Sequence, residues 1–277
     1  MEYFEDSSTF MDYGQVTKTI LNFIKKEIES RKSEGVVIGV SGGIDSAVLA
    51  YLAVRALGNN KVLGLLLPDK DVTPLNDITD GLEVCKRLGI EYKKADIKSP
   101  KQGFNDILDQ TDNRIVEGNL VARIRMCIMY YYACMKGRLV LGSSNKTELF
   151  LGYFTKYGDG AADLLPLGDL YKTEIIKLAK HLEIPRAILD KKSSARLWTD
   201  QITEEELGLP FNQLDPIVYK LIGSQNKKYN EILDYENDFP AINVQSIQRI
   251  QKLIDSNKHK LSFPPVCVLP RASTHEF

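Results

Sequence analysis

Short apolar runs alternate with amphipathic stretches along most of the chain. The apolar runs are typical of buried parallel strands, and they cover residues 36–40, 61–67 and 138–141; a further strand is predicted at 91–97. Amphipathic stretches with the spacing of helices cover residues 15–31, 77–88 and 172–182, and two stretches of more apolar composition, at 47–57 and 119–135, are also predicted to be helices. Strands and helices in this order predict an α/β fold, a doubly wound parallel sheet flanked by helices, which binds ligands at the carboxyl ends of its strands.

The chain has 277 residues, of which 43% are hydrophobic, and this is enough for one large core. We therefore predict a single domain over residues 1–277. The polar stretch at 191–202 lacks helical periodicity, which predicts a mobile lid over the bound ligands. The other predicted segments are an N-terminal helical segment (1–32), an α/β core (36–185), additional C-terminal helices (203–260) and a tail (261–277).

The net charge of −1 gives no overall attraction to nucleic acid, so no nucleic-acid partner is predicted. No apolar run has transmembrane length, and the acidic first residues lack the features of a signal peptide, which predicts a cytoplasmic protein without a membrane partner. The cysteines are widely separated in apolar surroundings and form no CxxC pair. We therefore predict reduced thiols in the core, rather than zinc ligands or a redox pair, for Cys85, Cys127, Cys134 and Cys267.

The most informative stretch is the glycine-rich turn between the first strand and the next helix. Gly42 and Gly43 allow the backbone to approach an anion, while Ser41 and Ser46 supply donors beside the free N–H groups of the helix start. The lysine of a Walker A loop is absent, and Asp45 lies inside the turn instead. A carboxylate beside phosphate is favourable only with a divalent cation between them, so we predict Mg²⁺. The alternative is a turn that only packs a helix on a strand. The predicted phosphate-binding residues are Gly39, Val40, Ser41, Gly42, Gly43, Ile44, Asp45 and Ser46.

The pattern Gly39-x-Ser-Gly-Gly-x-Asp45-Ser46 resembles the signature of the N-type ATP pyrophosphatases. This resemblance implies an adenine nucleotide alpha hydrolase-like fold and cleavage of ATP between its α and β phosphates, with transfer of AMP to a substrate oxygen. The group includes NAD synthetase, GMP synthetase, asparagine synthetase and several tRNA-modifying enzymes. The loop alone therefore does not select the acceptor.

Residues 141–163, LGSSNKTELFLGYFTKYGDGAAD, resemble one member of that group, the NAD synthetase family. Further similarity at 119–126, at Lys172 and at 194–206 extends the resemblance over roughly residues 15–265. It implies that ATP adenylates the nicotinate carboxylate of deamido-NAD, that pyrophosphate leaves, and that ammonia then displaces AMP, which is the final step of NAD biosynthesis. A glutaminase domain would need considerably more chain, so free ammonia is the predicted nitrogen donor, and a separate glutaminase partner stays open.

The resemblance also implies roles for individual residues. Asp45 and Glu148 would hold Mg²⁺ on the departing pyrophosphate, and Lys172 would neutralise the triphosphate. Asp159 would orient or deprotonate the ammonium ion, and Lys156 completes the predicted catalytic set. In addition to the phosphate loop and Lys172, the positions that match ATP ligands are Ser143 and Ser194. The positions that match deamido-NAD ligands are Asn119, Arg123, Tyr130, Lys156, Asp163, His259 and Lys260.

Some features depart from the family or leave alternatives open. Ile115 stands where many bacterial members have an aromatic residue that stacks on the pyridine ring, and the loop at 68–76 lacks the arginine and glutamine that some members place near ATP. Tyr130 could equally be a core residue, and His259 an ordinary residue at a helix end. The resemblance implies a homodimer with the apolar helix at 119–135 at the interface and deamido-NAD between subunits; the alternative is a helix buried on all sides.

Two other functions compete with this interpretation. Another N-type ATP pyrophosphatase, GMP synthetase-like or tRNA-modifying, predicts a dimerisation module or paired reactive cysteines, and the sequence contains neither. A nucleotide-binding protein without catalysis would leave the combination of Asp45, Glu148, Lys156 and Lys172 unexplained. The sequence therefore favours the ammonia-dependent amidation of deamido-NAD.

Overall fold

The computed structural model of the chain describes residues 11–223 and 242–269. Every predicted site residue lies within these ranges. Parts of three predicted segments lie outside them, namely residues 1–10 of the N-terminal segment, 224–241 of the C-terminal helices and 270–277 of the tail.

A four-stranded parallel sheet, in the order β3-β2-β1-β4, forms the centre of the described chain. Its strands are β1 (Val36–Gly39), β2 (Val62–Leu66), β3 (Glu91–Lys94) and β4 (Leu139–Leu141). Side chains alternate between the two faces, so Val36 and Ile38 pack in one part of the core and Val37 in another. Every connection between consecutive strands contains a helix, and the predicted doubly wound parallel sheet is confirmed.

Helices cover both faces of this sheet. On one face Ile24, Leu49 and Leu178, from three different helices, are completely buried in the largest apolar cluster. On the other face Ala133 packs with Val140 of β4. In the described ranges the helices are α1 (Tyr13–Ser30), α2 (Ile44–Leu57), α3 (Leu75–Leu88), α4 (Lys98–Asn105), α5 (Arg114–Lys136), α6 (Lys146–Leu151), α7 (Lys172–His181), α8 (Arg186–Leu189), α9 (Thr203–Leu207), α10 (Phe211–Gly223) and α11 (Val244–Asn257).

A second apolar cluster joins the C-terminal helices to the core. It contains Leu151 of α6, Leu214 and Val218 of α10 and Ile250 of α11, all of them buried. Because α6 follows directly on β4, this cluster holds α10 and α11 beside the carboxyl end of the sheet. The predicted C-terminal helices therefore contribute to the region where a doubly wound sheet binds its ligand.

The predicted strands and helices are confirmed, with differences at their ends. The helix predicted from residue 119 begins at Arg114, because the side chain of Asn113 caps it by accepting hydrogen bonds from the backbone N–H groups of Ile115 and Val116. The strand β3 ends at Lys94 rather than at residue 97. The short helices α4 and α6 have no counterpart in the predicted pattern, since few turns give little periodicity.

The structure corrects the prediction of four core thiols. All four cysteines are free and Cys85 is buried, but Cys127, Cys134 and Cys267 are exposed. Cys127 and Cys134 lie on α5, which also exposes apolar side chains such as Tyr131, so the alternative of a helix buried on all sides is wrong. No helix in the two described ranges combines the length and the apolar character needed to cross a membrane.

Candidate active site

A cavity of about 1110 Å³ opens at the carboxyl ends of β1, β2 and β4. Its walls come from the phosphate loop (residues 39–46), from α5, from the segment that follows α6, from the predicted lid and from α11. All predicted ATP-binding residues except Gly42 line it. It is also lined by further predicted site residues, Asn119, Glu148, Asp159 and Lys260.

The phosphate loop is held in shape by its own hydroxyl groups. The backbone N–H of Ser41 donates to Ser46 Oγ over 3.2 Å, and Ser46 Oγ donates to the carbonyl of Gly43 over 3.0 Å. Gly42 has a φ of +79°, and a Cβ there would lie 2.1 Å from the backbone oxygen of Asp77, so only glycine fits. The helix α2 starts at Ile44 without a side-chain cap, which leaves its first N–H groups available to an anion in the cavity.

Three elements bring charged side chains together next to this loop. Asp45 of α2 forms an ion pair with Lys172, the first residue of α7, and accepts a hydrogen bond from Asn145 Nδ2 over 3.0 Å. Asn145 is the N-cap of α6 and forms a capping box with Glu148, which orients the Glu148 carboxylate. Lys172 is only 2% exposed, so its ammonium group depends on these carboxylates for compensation.

The electrostatics of this cluster favour an additional cation. Burial, together with the negative charge of Asp45, raises the pKa of Glu148 to about 8, against the opposing effect of Lys172. Burial lowers the pKa of Lys172, but Asp45 and Glu148 more than offset this, and the pKa lies above its ordinary value. Two carboxylates therefore face a single ammonium group in a site shielded from water. Hard divalent cations are bound by oxygens of this kind.

Asp159 lies in the loop between α6 and α7, on the same cavity. Its carboxylate accepts a hydrogen bond from the backbone N–H of Thr155 over 2.8 Å. Enclosure by the surrounding protein raises the pKa of Asp159, while hydrogen bonds from backbone N–H groups and the charges of Arg125 and Lys260 oppose this rise. Asp159 is therefore a carboxylate held in place at the cavity wall, and the positively charged side chains that act on it are those of Arg125 and Lys260.

The predicted deamido-NAD residues fall into separate groups. Asn119 and Lys260 line the cavity, and Asn119 accepts a hydrogen bond from Thr155 Oγ1 over 2.6 Å. Lys156 Nζ donates to the backbone oxygen of His259 over 2.7 Å, and Arg123 donates to the backbone oxygen of Lys156, so these three residues cluster outside the cavity lining. Tyr130 and Asp163 also lie outside the lining, and the Tyr130 hydroxyl donates a hydrogen bond of 3.5 Å to Asp163 Oδ1.

The predicted lid is non-helical and lies over the phosphate loop. Lys191 Nζ donates to the carbonyl of Gly42 and pairs with Asp77 Oδ1 at 2.7 Å, while Arg196 Nε pairs with Asp77 Oδ2 at 2.6 Å. At the other end, the buried Gln201 accepts a hydrogen bond from the Leu197 N–H over 2.9 Å. The structure thus shows the lid in contact with the cavity, and its mobility stays a prediction.

Several cavity residues were missed by sequence reasoning. They are Asp77, Arg125, Lys191, Arg249 and Lys252. Arg125 lies within the matched stretch 119–126, and Lys191 begins the predicted lid, so both belong to segments that the sequence marks as functional. Arg249 and Lys252 lie on α11, an ordinary amphipathic helix in sequence, and only the tertiary structure places them on the cavity wall.

A parallel sheet with a glycine-rich loop at the end of its central strand, next to paired carboxylates and a buried lysine, defines an α/β protein that binds nucleotide phosphates. A model of the NAD synthase family matches residues 16–264. The chain therefore belongs to the NAD synthase family.

Similar proteins cover nearly the whole chain. The NH₃-dependent NAD⁺ synthetase of Archaeoglobus fulgidus is 43% identical over 256 residues, which are 92% of this chain and 97% of that protein. Among solved structures, the NH₃-dependent NAD synthetase from Campylobacter jejuni is 32% identical with a TM-score of 0.77, over 93% of this chain and 100% of that one. The NMN synthetase from Francisella tularensis is also 32% identical, with a TM-score of 0.80 over 94% and 100%. These similarities confirm the predicted adenine nucleotide alpha hydrolase-like fold.

Proposed function

We propose that the chain is a ligase that converts deamido-NAD into NAD with ATP and ammonia. The observation that carries the proposal is that the phosphate loop, the Asp45, Glu148 and Lys172 cluster and the Asp159 carboxylate all face one cavity. The matched relatives, which are NH₃-dependent NAD⁺ synthetases, support the acceptor and the nitrogen donor. The cavity, at about 1110 Å³, is at the upper end of the range for small-molecule sites, which usually measure about 300–1,000 Å³.

In the proposed reaction a carboxylate oxygen of deamido-NAD attacks the α phosphorus of ATP, and the bond between the α phosphorus and the bridging oxygen to the β phosphate breaks. Pyrophosphate leaves with that electron pair. Ammonia then attacks the acyl carbon, the bond from that carbon to the AMP oxygen breaks, and a proton passes from nitrogen to a base. Lys172 opposes the charge that develops on the phosphates, and its fixed position means that it needs no rearrangement as the charge forms.

We propose that Asp45 and Glu148 hold Mg²⁺ when ATP is bound. The ion would supply charge neutralisation at the leaving pyrophosphate. Within the described part of the chain, no group of three His, Cys, Asp or Glu side chains could hold a metal ion. Two carboxylates are sufficient for Mg²⁺, which commonly takes only one or two protein carboxylates and completes its coordination with phosphate oxygens and water.

The test of the proposed function is NAD and AMP formation by the purified chain from deamido-NAD, ATP, MgCl₂ and ammonium chloride. A parallel reaction replaces ammonium with glutamine. We expect product with ammonium alone, and product with glutamine alone would contradict the proposed nitrogen donor. No product in either reaction would favour another adenylation acceptor, such as that of a GMP synthetase-like or tRNA-modifying enzyme. A separate glutaminase as a natural ammonia source, and a cytoplasmic location, stay predictions from the sequence.

A second acceptor is worth testing in the same assay. The similarity to an NMN synthetase covers 94% of this chain, and the mononucleotide analogue of deamido-NAD carries the same nicotinate carboxylate. We expect a higher kcat/KM for the dinucleotide, because the matched relatives that are 43% identical to this chain are NH₃-dependent NAD⁺ synthetases. A higher kcat/KM for the mononucleotide would reassign the substrate and leave the adenylation chemistry unchanged.

Replacement of Lys156 tests the deamido-NAD assignment. We expect Lys156→Ala to raise the KM for deamido-NAD by about tenfold, the effect of one lost charge-assisted hydrogen bond, while the KM for ATP changes by less than about twofold. Lys156 lies away from the phosphate loop and binds the His259 carbonyl, so ATP affinity should be insensitive to it. Lys94→Ala, on the exposed strand β3, is the matched control. An equal loss for both substrates would contradict the assignment.

We propose a homodimer in which α5 forms part of the interface. This helix exposes Val116, Cys127, Tyr131 and Met135. They lie on one stripe, because about three helical turns separate Val116 from Cys127 and about one turn separates each of the other neighbours. An apolar stripe of this length on a helix otherwise packed on the sheet marks an interaction surface. We expect sedimentation velocity to show a dimer and Tyr131→Arg to shift it to monomer. A wild-type chain that stays monomeric at micromolar concentration would contradict this proposal.

A further inference from the structure

A buried carboxylate on α10 contacts the two elements that carry Glu148 and Lys172. Asp215 is only 3% exposed. Its Oδ1 accepts a hydrogen bond of 2.5 Å from Thr147 Oγ1, and its Oδ2 accepts one of 2.8 Å from the backbone N–H of Thr173. Thr147 is in α6 and Thr173 is in the first turn of α7, so one side chain from the C-terminal layer joins two helices of the site.

These hydrogen bonds reach the residues adjacent to the predicted catalytic groups. Thr147 precedes Glu148, and its hydroxyl oxygen also accepts a hydrogen bond of 3.0 Å from the backbone N–H of Lys172. The Thr147 hydroxyl has one proton, and with the Lys172 N–H as its donor partner that proton is directed to Asp215. The donors and acceptors of this hydrogen-bond chain are therefore fixed: the Lys172 N–H donates to Thr147, and the Thr147 hydroxyl donates to the Asp215 carboxylate.

The same helix also contacts the other end of Lys172. The ammonium nitrogen of Lys172 lies 5.6 Å from the centre of the Phe211 ring, and Phe211 begins α10. Lys172 is thus fixed at its backbone by the Asp215 and Thr147 chain and flanked at its ammonium group by Phe211. Thr147 is fully buried, so water is excluded from this chain and cannot replace a lost hydrogen bond at no cost.

We propose that Asp215 is a positioning residue for the phosphate chemistry: through Thr147 and Thr173 it sets the places of the Glu148 carboxylate and the Lys172 ammonium group. Asp215 itself is absent from the cavity lining, and it acts through these neighbours. The proposal rests on the proposed function for its kinetic consequences. Displacement of catalytic groups by about 1 Å can cost about a hundredfold in rate, which makes a support of this kind functionally significant.

The test compares Asp215→Asn with two variants of its partner, Thr147→Val and Thr147→Ser. Asparagine has nearly the same shape as aspartate. However, its NH₂ group would face one of the two donors, the Thr147 hydroxyl or the Thr173 N–H, from which the carboxylate accepts hydrogen bonds. Valine removes the hydroxyl without changing the volume, and serine retains it. The control is Asp12→Asn, the same chemical change at the N-cap of α1, where asparagine caps as well as aspartate does.

For Asp215→Asn and Thr147→Val we expect kcat to fall by about ten- to a hundredfold, with the KM for deamido-NAD within about twofold. The MgCl₂ concentration for half-maximal rate should rise by a similar factor. Thr147→Ser should recover most of the kcat, and the double variant should be little worse than either single one, because both act through one chain. A second readout does not depend on catalysis. Addition of MgCl₂ with α,β-methylene-ATP should raise the melting temperature of the wild type, and this rise should be smaller in Asp215→Asn and in Thr147→Val.

A purely structural role gives a different result. Asp215→Asn would then lower the melting temperature while kcat, the MgCl₂ dependence and the stabilisation by nucleotide stay normal, and this would overturn the proposal. If Asp215→Asn does not fold, Thr147→Val decides by the same criteria. A wild-type chain without ligase activity would instead refute the proposed function, and the comparison of nucleotide stabilisation would still decide the role of Asp215.

Discussion

Asp45→Asn is expected to reduce NAD formation by at least about a hundredfold while the protein stays folded. The change keeps the shape of the side chain and removes one of two carboxylates beside the phosphate loop. Asp45 is 18% exposed and is not a core residue, so little packing is lost. Lys172 loses its closest partner but retains Glu148, whose high pKa falls when the competing charge of Asp45 is removed.

The measurement is steady-state NAD formation at several MgCl₂ concentrations, with circular dichroism and the melting temperature as checks of folding. Asp169→Asn is the control, because Asp169 is 97% exposed and pairs only with Lys146 among the ion pairs of the described chain. Higher MgCl₂ should restore only part of the rate, because the asparagine oxygen is a neutral and weaker ligand than the carboxylate. Normal turnover in Asp45→Asn would refute the assignment of Asp45 to Mg²⁺.

The glycine-rich turn of the candidate phosphate site could be located from sequence because its signals are local. The strand, the turn and the start of α2 are consecutive, and Ser46 forms its hydrogen bonds with Ser41 and Gly43, which are at most five residues away. The sheet was equally accessible, since β-branched runs separated by helices permit few topologies. Resemblance to a family then located Glu148 and Lys172, which are distant from this loop in sequence.

The parts that escaped prediction depend on contacts between distant residues. Asp77 pairs with Lys191 and Arg196, more than a hundred positions away, and nothing in the first turn of α3 indicates this. Asp215 escaped prediction in the same way, because the sequence shows only that it follows an apolar residue, Leu214. Buried polar networks are specified by tertiary geometry, and one-dimensional patterns carry little information about them.

Solvent exposure was the weakest of the sequence predictions. Cys127 and Cys134 have apolar neighbours in sequence, yet on α5 these neighbours are shared between a face packed on the sheet and an exposed stripe. Apolar surroundings in sequence therefore do not distinguish a core residue from one at a predicted subunit interface. The proposed dimer would bury this stripe.

Asp159→Asn is expected to separate the two chemical steps. Adenylation should continue, with pyrophosphate released, while amide formation falls by about a hundredfold or more and the KM for ammonia rises, because general-base catalysis contributes about 10²–10⁴. The asparagine oxygen can still accept the hydrogen bond from the Thr155 N–H, so the loop keeps its shape. The charge that attracts ammonium and the base that accepts its proton are lost.

Single-turnover reactions that follow pyrophosphate, AMP and NAD separately provide the measurement, with Asp112→Asn, an exposed aspartate before α5, as the control. Hydroxylamine sharpens the test, since it is a strong nucleophile that is largely unprotonated at neutral pH and needs no base to become reactive. We expect it to trap the adenylate as a hydroxamate at nearly the wild-type rate in Asp159→Asn. If pyrophosphate release itself fails, Asp159 acts in adenylation and not in ammonia activation. If hydroxylamine fails while pyrophosphate is still released, the carboxylate orients the acyl adenylate instead of accepting a proton.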